Sequence, residues 1–159
     1  MSIQQLIKSV FAAVMLGVSL NVAAAGIDLN TDANDVAVQG YDVVSYQQKS
    51  GPKMGKSKYL ASHNDAIYYF TSAENRDAFK ASPEKYAPAF GGYCAMGVAL
   101  NKKLDVDPMA YRIVDGTLYL NLNKQVQKKW LTDIEGNIAT ANRNWSGIHD
   151  VAAATLNAE

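Results

Sequence analysis

The chain has 159 residues, and its 15 Lys and Arg residues balance its 15 Asp and Glu residues, so the formal net charge is zero at pH 7. A chain without net positive charge or a basic run lacks the electrostatic footprint of a nucleic-acid-binding protein. The same balance gives no attraction to an anionic membrane surface. The single cysteine, Cys94, excludes an internal disulfide.

The N-terminus has the pattern of a secretory signal peptide. Lys8 supplies a positive charge, residues 10–20 form an apolar segment too short to span a bilayer, and residues 23–25 are three alanines. We therefore predict a signal peptide over residues 1–25, which is removed after export. The style of the signal predicts a periplasmic protein, with no membrane association after cleavage.

The first half of the remaining chain predicts an irregular lead-in over residues 26–35 and a short strand at 36–38. Asp42 then predicts the cap of a helical turn. Residues 58–62 and 66–70 predict two strands joined by a turn. Thr71 and Glu74 have the spacing of a capping box, which predicts a helix ending near residue 81.

The second half repeats several of these signals. Residues 98–100 predict a strand, and residues 111–120 predict a hairpin because Asp-Gly separates two alternating runs. Asn123 predicts the cap of a helix that ends at Gly136, and a last helix follows. Residues 149–159 predict a C-terminal tail.

The order of hairpin, cap and helix with a buried aromatic residue occurs twice. Phe79 in the first half corresponds to Trp130 in the second, and Tyr69 is matched with Tyr119. Two such units need each other to cover their sheets. The predicted fold is therefore α+β, a mainly antiparallel sheet built from two ββα units with helices on one face, in a single domain over residues 36–148.

A glycine-rich loop at residues 91–97 joins the two units and contains the only cysteine. Cys94 and Met96 are soft ligands of the kind that select copper(I). In an extended segment, residues two apart face the same side, so both reach one ion. His63 or Met109 would supply a third donor. The alternative is that Cys94 and Met96 pack in the core.

Two other functions remain open for this loop. Cys94 would be the nucleophile of a thiol-dependent enzyme or redox protein if His63 or His149 served as its base; no catalytic residue is assigned. The third hypothesis is a non-enzymatic module for a small organic ligand, because aromatic residues near a glycine loop can line a pocket. Its predicted ligand-binding residues are Tyr41, Asp42, Tyr86, Tyr93 and Cys94.

Five segments together resemble the exported YHS-domain proteins: residues 37–46, 68–79, 82–88, 91–95 and 115–120. The resemblance covers nearly the whole chain after the signal peptide. YHS domains elsewhere accompany heavy-metal ATPases, so the resemblance implies a link to metals by association. The metal-associated members carry cysteines near the first strand–helix junction, and residues 71–75 here contain none. One Cys and two His cannot build a structural zinc site without carboxylates.

From these patterns we predict a periplasmic YHS-domain binding protein with a site on the glycine loop. The expected ligand is a small molecule or a metal ion, with copper as the candidate cofactor.

Overall fold

The computed structural model describes residues 26–158, so the predicted signal peptide lies outside the described residues. Two antiparallel hairpins form the β structure, and each is a separate two-stranded sheet. The first pairs β1 (Lys56–His63) with β2 (Ala66–Phe70), and the second pairs β3 (Asp107–Val114) with β4 (Thr117–Asn121). Helices pack against both hairpins, which confirms the predicted α+β class.

The helices are distributed between and after the hairpins. They are α1 (Ala73–Ala81), α2 (Pro83–Tyr86), α3 (Ala95–Ala99), α4 (Lys124–Trp130), α5 (Ile134–Ile148) and α6 (Ala153–Asn157). Short 3-10 turns occur at Val38–Gly40, Ser45–Gln47, Ala89–Gly92 and Leu131–Asp133. Within residues 26–158, no helix has both the length and the apolar character needed to cross a membrane.

The two hairpins are copies of one design. Each has a first strand of 8 residues and a second of 5 residues. The register shifts at the same place in both, between Lys56 and Leu60 and between Asp107 and Tyr111. Because a bulge is a specific backbone feature, its repetition supports the predicted internal repeat more strongly than strand length does.

The aromatic residues predicted to be equivalent are both buried. Ser72 caps α1 and Asn123 caps α4, and Phe79 and Trp130 follow these caps at the same spacing. Phe79 and Trp130 belong to different core clusters, and the Phe79 cluster also contains Leu118 and Leu120 of the second hairpin. Tyr68 and Tyr119 lie at the same spacing before their caps, Ser72 and Asn123. The residue equivalent to Tyr119 is therefore Tyr68, and not Tyr69 as predicted.

Two local predictions in the first half need correction. The side chain that caps α1 is Ser72, which accepts a hydrogen bond from the Asn75 amide at 3.2 Å, so the predicted capping box was one residue early. Residues 36–38 form isolated bridges and a 3-10 turn instead of a strand. Val38 has φ 50°, which a strand cannot contain.

The second half differs from prediction at three points. Residues 98–100 lie within or just after α3 and do not form a strand. The helix predicted to end at Gly136 stops at Trp130, and α5 begins after Asp133, whose carboxylate accepts from the Gly136 amide at 3.0 Å. The predicted tail carries α6, which is fixed because the Asn157 side chain pairs with both backbone groups of Lys103.

Candidate functional site

Each unit begins with a loop of left-handed residues. The φ angles are 50°, 52° and 81° at Val38–Gly40, and 55°, 60° and 84° at residues 90–92. Left-handed backbone is strained for a β-branched or bulky residue, so Val38 and Phe90 are held there by their surroundings. A fully buried polar side chain follows two residues after the last glycine of each loop. It is Asp42 in the first unit and Cys94 in the second.

The Asp42 carboxylate is the centre of a hydrogen-bond network inside the first unit. One oxygen accepts from the amides of Val44 at 2.9 Å and Ser45 at 3.3 Å. The other accepts from the Thr71 amide at 2.8 Å, the Thr71 hydroxyl at 2.7 Å and the Asn75 side-chain amide at 2.6 Å. The turn that Asp42 was predicted to cap begins at Ser45 with Val44 at its N-cap position, and Asp42 binds the amides of both residues. Because five donors occupy the two oxygens, the carboxylate joins the loop to the start of α1.

Cys94 occupies the equivalent place in the second unit. Its sulfur accepts hydrogen bonds from the amides of Gly97 at 3.3 Å and Leu122 at 3.2 Å. The thiol lies 3.9 Å from the Asn121 side-chain oxygen, to which it donates. Burial raises the pKa of the Cys94 thiol, while the two amides act in the opposite direction. Leu122 follows β4 as Thr71 follows β2, so the thiol ties its loop to the next strand–helix junction.

The structure does not supply the extended segment on which the copper prediction rested. Met96 lies in α3, and residues two apart on a helix point to different sides. His63 lies against the Phe79 ring and near the Glu84 carboxylate. Among residues 26–158, no group of three or more His, Cys, Asp or Glu side chains is arranged to hold a metal ion. Copper binding stays a prediction.

Of the tyrosines predicted to share a pocket, Tyr41 and Tyr86 pack against the core cluster that contains Cys94, and Tyr93 belongs to the other cluster. Tyr41 forms a backbone bridge with Met54, and the Tyr86 ring lies under the Lys85 ammonium at 5.1 Å. The Tyr93 hydroxyl donates to the Leu29 carbonyl at 3.1 Å. The described chain has a cleft whose lining includes none of these tyrosines and neither Asp42 nor Cys94.

That cleft has a volume of about 320 Å³. The turn after β1 and the start of α2 form one side, with His63, Asn64 and Glu84. The other side is formed by the left-handed loop of the second unit, at Gly91, and by Trp145 of α5. The remaining lining residues are Asp28, Leu29, Tyr68, Ala87, Pro88, Ala89 and Thr117. Concave sites between structural units are common binding places for small molecules.

Polar groups are concentrated on the side of the first unit. The His63 Nε2 atom lies 3.7 Å from a Glu84 carboxylate oxygen and 3.1 Å from the Asn64 side-chain nitrogen. Tyr68 is only 3% exposed as a whole residue, but its hydroxyl is not among the buried side-chain atoms that lack a partner in the described range, which are Asn121 Nδ2 and Trp130 Nε1, so the hydroxyl keeps contact with solvent. Burial raises the pKa of Tyr68 to about 12, so the phenol is neutral at ordinary pH. A residue that lines the cleft therefore carries a neutral, solvent-accessible hydroxyl, with which a ligand can form a hydrogen bond.

The buried ammonium group of Lys103 stabilises the side of the cleft opposite His63 and Glu84. Lys103 is 1% exposed, and its Nζ atom donates to the carbonyls of Ile27 at 2.7 Å, His149 at 2.6 Å and Val151 at 2.7 Å. It also lies 5.3 Å from the Trp145 ring centre. Burial lowers the pKa of Lys103, and nearby carboxylates oppose the shift. The interaction fixes the lead-in and the end of α5 together.

Sequence reasoning missed most of this cleft. Only His63 was a candidate, either as a metal donor or as the base for the Cys94 nucleophile. The burial of Tyr68 could have been predicted from the internal repeat, because its match with Tyr119 places it on the inner side of its hairpin. Glu84 and Trp145 carry no local signal, since they meet only in the folded chain.

Comparison with known proteins gives no relative: no family model, no curated protein and no solved structure matches this chain. The functional argument therefore rests on the geometry of the site.

Proposed function

We propose that this protein is a non-enzymatic binding module of the bacterial periplasm, related to the exported YHS-domain proteins, that holds a small organic ligand in the cleft between its two units. The observation that carries the proposal is the cleft of about 320 Å³ between the two units, which is lined by apolar side chains and by the polar side chains of His63, Tyr68 and Glu84. Export is supported by the pattern of residues 1–25 alone.

The chemistry of the lining groups favours binding over catalysis. A thiol enzyme requires an accessible thiolate, whereas Cys94 is fully buried and its pKa is raised. The groups that line the cleft are a neutral phenol, an imidazole beside a carboxylate, the polar side chains of Asp28, Asn64 and Thr117, and apolar side chains. These groups orient a ligand by hydrogen bonds and contact, which is the usual construction of a small-molecule site.

The test is a thermal-shift screen of metabolites and metal ions on the protein lacking residues 1–25, followed by NMR mapping of each hit. A ligand that binds only the native state raises the melting midpoint. We expect an organic hit whose shifts map to His63, Tyr68 and Trp145.

A variant that fills the cleft provides the matched comparison. Thr117 lines the cleft from a strand, where an aromatic residue is tolerated, so Thr117→Tyr is expected to abolish the ligand-induced shift. Ser62→Tyr is the control, because Ser62 is exposed and precedes His63, which places it on the opposite face of β1. A ligand effect that survives Thr117→Tyr, or that maps away from the cleft, would overturn the proposal.

A further inference from the structure

We infer that the ligand of the cleft is a small organic cation, with its ammonium group at the rim beside Glu84 and a flat apolar body along Trp145. This inference deepens the proposed function and rests on it. Three independent features support it: the charges that line the cleft, the Tyr68 hydroxyl, and the apolar wall.

The charges that line the cleft are negative. Asp28 and Glu84 are its carboxylates, and no Lys or Arg is among the described residues that line it. His63 adds a positive charge only when protonated. Lys103 lies behind the wall, and Asp28 attracts it, so Asp28 is partly neutralised within the protein. Glu84 then remains as the charge that a ligand meets. A carboxylate or phosphate ligand would be repelled there, whereas an ammonium group would be attracted.

The position of Glu84 suits a rim contact. Its side chain is 80% exposed, and its Oε1 atom lies 3.7 Å from His63 Nε2. An exposed carboxylate attracts a cation without a large desolvation cost, but its contribution is modest. Affinity must therefore come mainly from the interior of the cleft.

The interior combines hydrogen-bonding groups, among them the Tyr68 hydroxyl, with an apolar wall. The Tyr68 hydroxyl is neutral and accessible to solvent, so it can accept from an N–H group or donate to an oxygen of the ligand. Trp145, Pro88 and Leu29 provide apolar surface in the same cleft. A volume of about 320 Å³ lies at the small end of ligand pockets, which limits the ligand to about one ring and a short chain.

The test compares three probes that share one ring and one short chain but differ in charge: 2-phenylethylammonium, 2-phenylethanol and phenylacetate. Binding is measured at pH 7.5 by NMR titration of the protein lacking residues 1–25, following the Trp145 indole and the His63 ring. We expect the ammonium probe to bind more tightly than the alcohol, and phenylacetate to bind most weakly.

Variants separate the charge effect from the cleft itself. Glu84→Gln is expected to weaken the ammonium probe by two- to fivefold, the range of an exposed ion pair, and to leave the alcohol unchanged. Glu135→Gln, in the first turn of α5 and outside the cleft lining, is the matched control and should change neither.

Each other outcome overturns a defined statement. Equal binding of the alcohol and the ammonium probe, or tighter binding of phenylacetate, would refute the cation but leave the proposed binding function intact. Failure of all three probes to perturb cleft residues at millimolar concentration would refute the cation. It would count against the binding function as well only if the metabolite screen also gave no hit that maps to the cleft.

Discussion

Replacing Asp42 with Asn tests whether its hydrogen-bond network holds the first unit together. The change conserves shape but turns one carboxylate oxygen into a donor. Whichever oxygen is replaced, at least two of the five hydrogen bonds are lost, because one oxygen accepts two and the other accepts three. A hydrogen bond to a charged group contributes about 1.5–3 kcal/mol, so Asp42→Asn should lower the free energy of unfolding by about 3–5 kcal/mol.

The measurement is urea denaturation followed by tryptophan fluorescence, with the slope m checked for two-state behaviour. Asp65→Asn is the control, because Asp65 is exposed in the turn between β1 and β2 and has φ 64°, which Asn tolerates. The control should stay within about 0.5 kcal/mol of the parent protein. A loss of less than about 1 kcal/mol for Asp42→Asn, at unchanged m, would show that the network is not a principal source of stability.

Three further predictions follow from the loops and the buried ammonium. Both Gly91 and Gly116 have positive φ, but an added Cβ meets the Asp28 carbonyl oxygen at 1.8 Å in the former and open space in the latter. Gly116→Ala should therefore cost about 1–2 kcal/mol and Gly91→Ala clearly more, and equal melting temperatures would contradict the loop geometry. Because the pKa of Cys94 is raised, unfolded chains ionise first, so stability should fall as pH rises above about 8.5 by up to about 1.4 kcal/mol per pH unit. Urea midpoints at pH 7.5 and 9.5 measure this fall, and Cys94→Ser should reduce it; an unchanged slope would mean that other groups cause it. Lys103→Met should increase hydrogen exchange in α6 and the lead-in without affecting β1 and β2, and uniform protection would refute its tethering role.

The features predicted correctly from sequence are those set by neighbouring residues. The Asp115–Gly116 turn has φ angles of 48° and 79°, the left-handed pair that an Asp-Gly hairpin requires. Phe79 and Trp130 were placed correctly because each follows a cap at a helical spacing. Helix α3 was missed because its cap is a cysteine sulfur, a group that is not among the preferred N-caps.

The cleft could not be predicted in the same way. Tyr68 and Glu84 belong to the first unit, whereas Gly91 and Trp145 belong to the second, and only the packing of the units brings them together. Cys94 and Asp42 attracted attention in the sequence because of the glycines before them. In the structure their polar atoms bond to the protein itself, which a pattern of residue types does not reveal.

Lys103 is also where the two ends of the described chain meet. Its ammonium bonds the carbonyls of Ile27 and Val151, and its backbone pairs with Asn157. A short peptide linking these ends would make the backbone a closed ring, and the exposed loop before Gly51 offers a place to open it elsewhere. A circularly permuted protein built in this way would keep both units and the cleft between them.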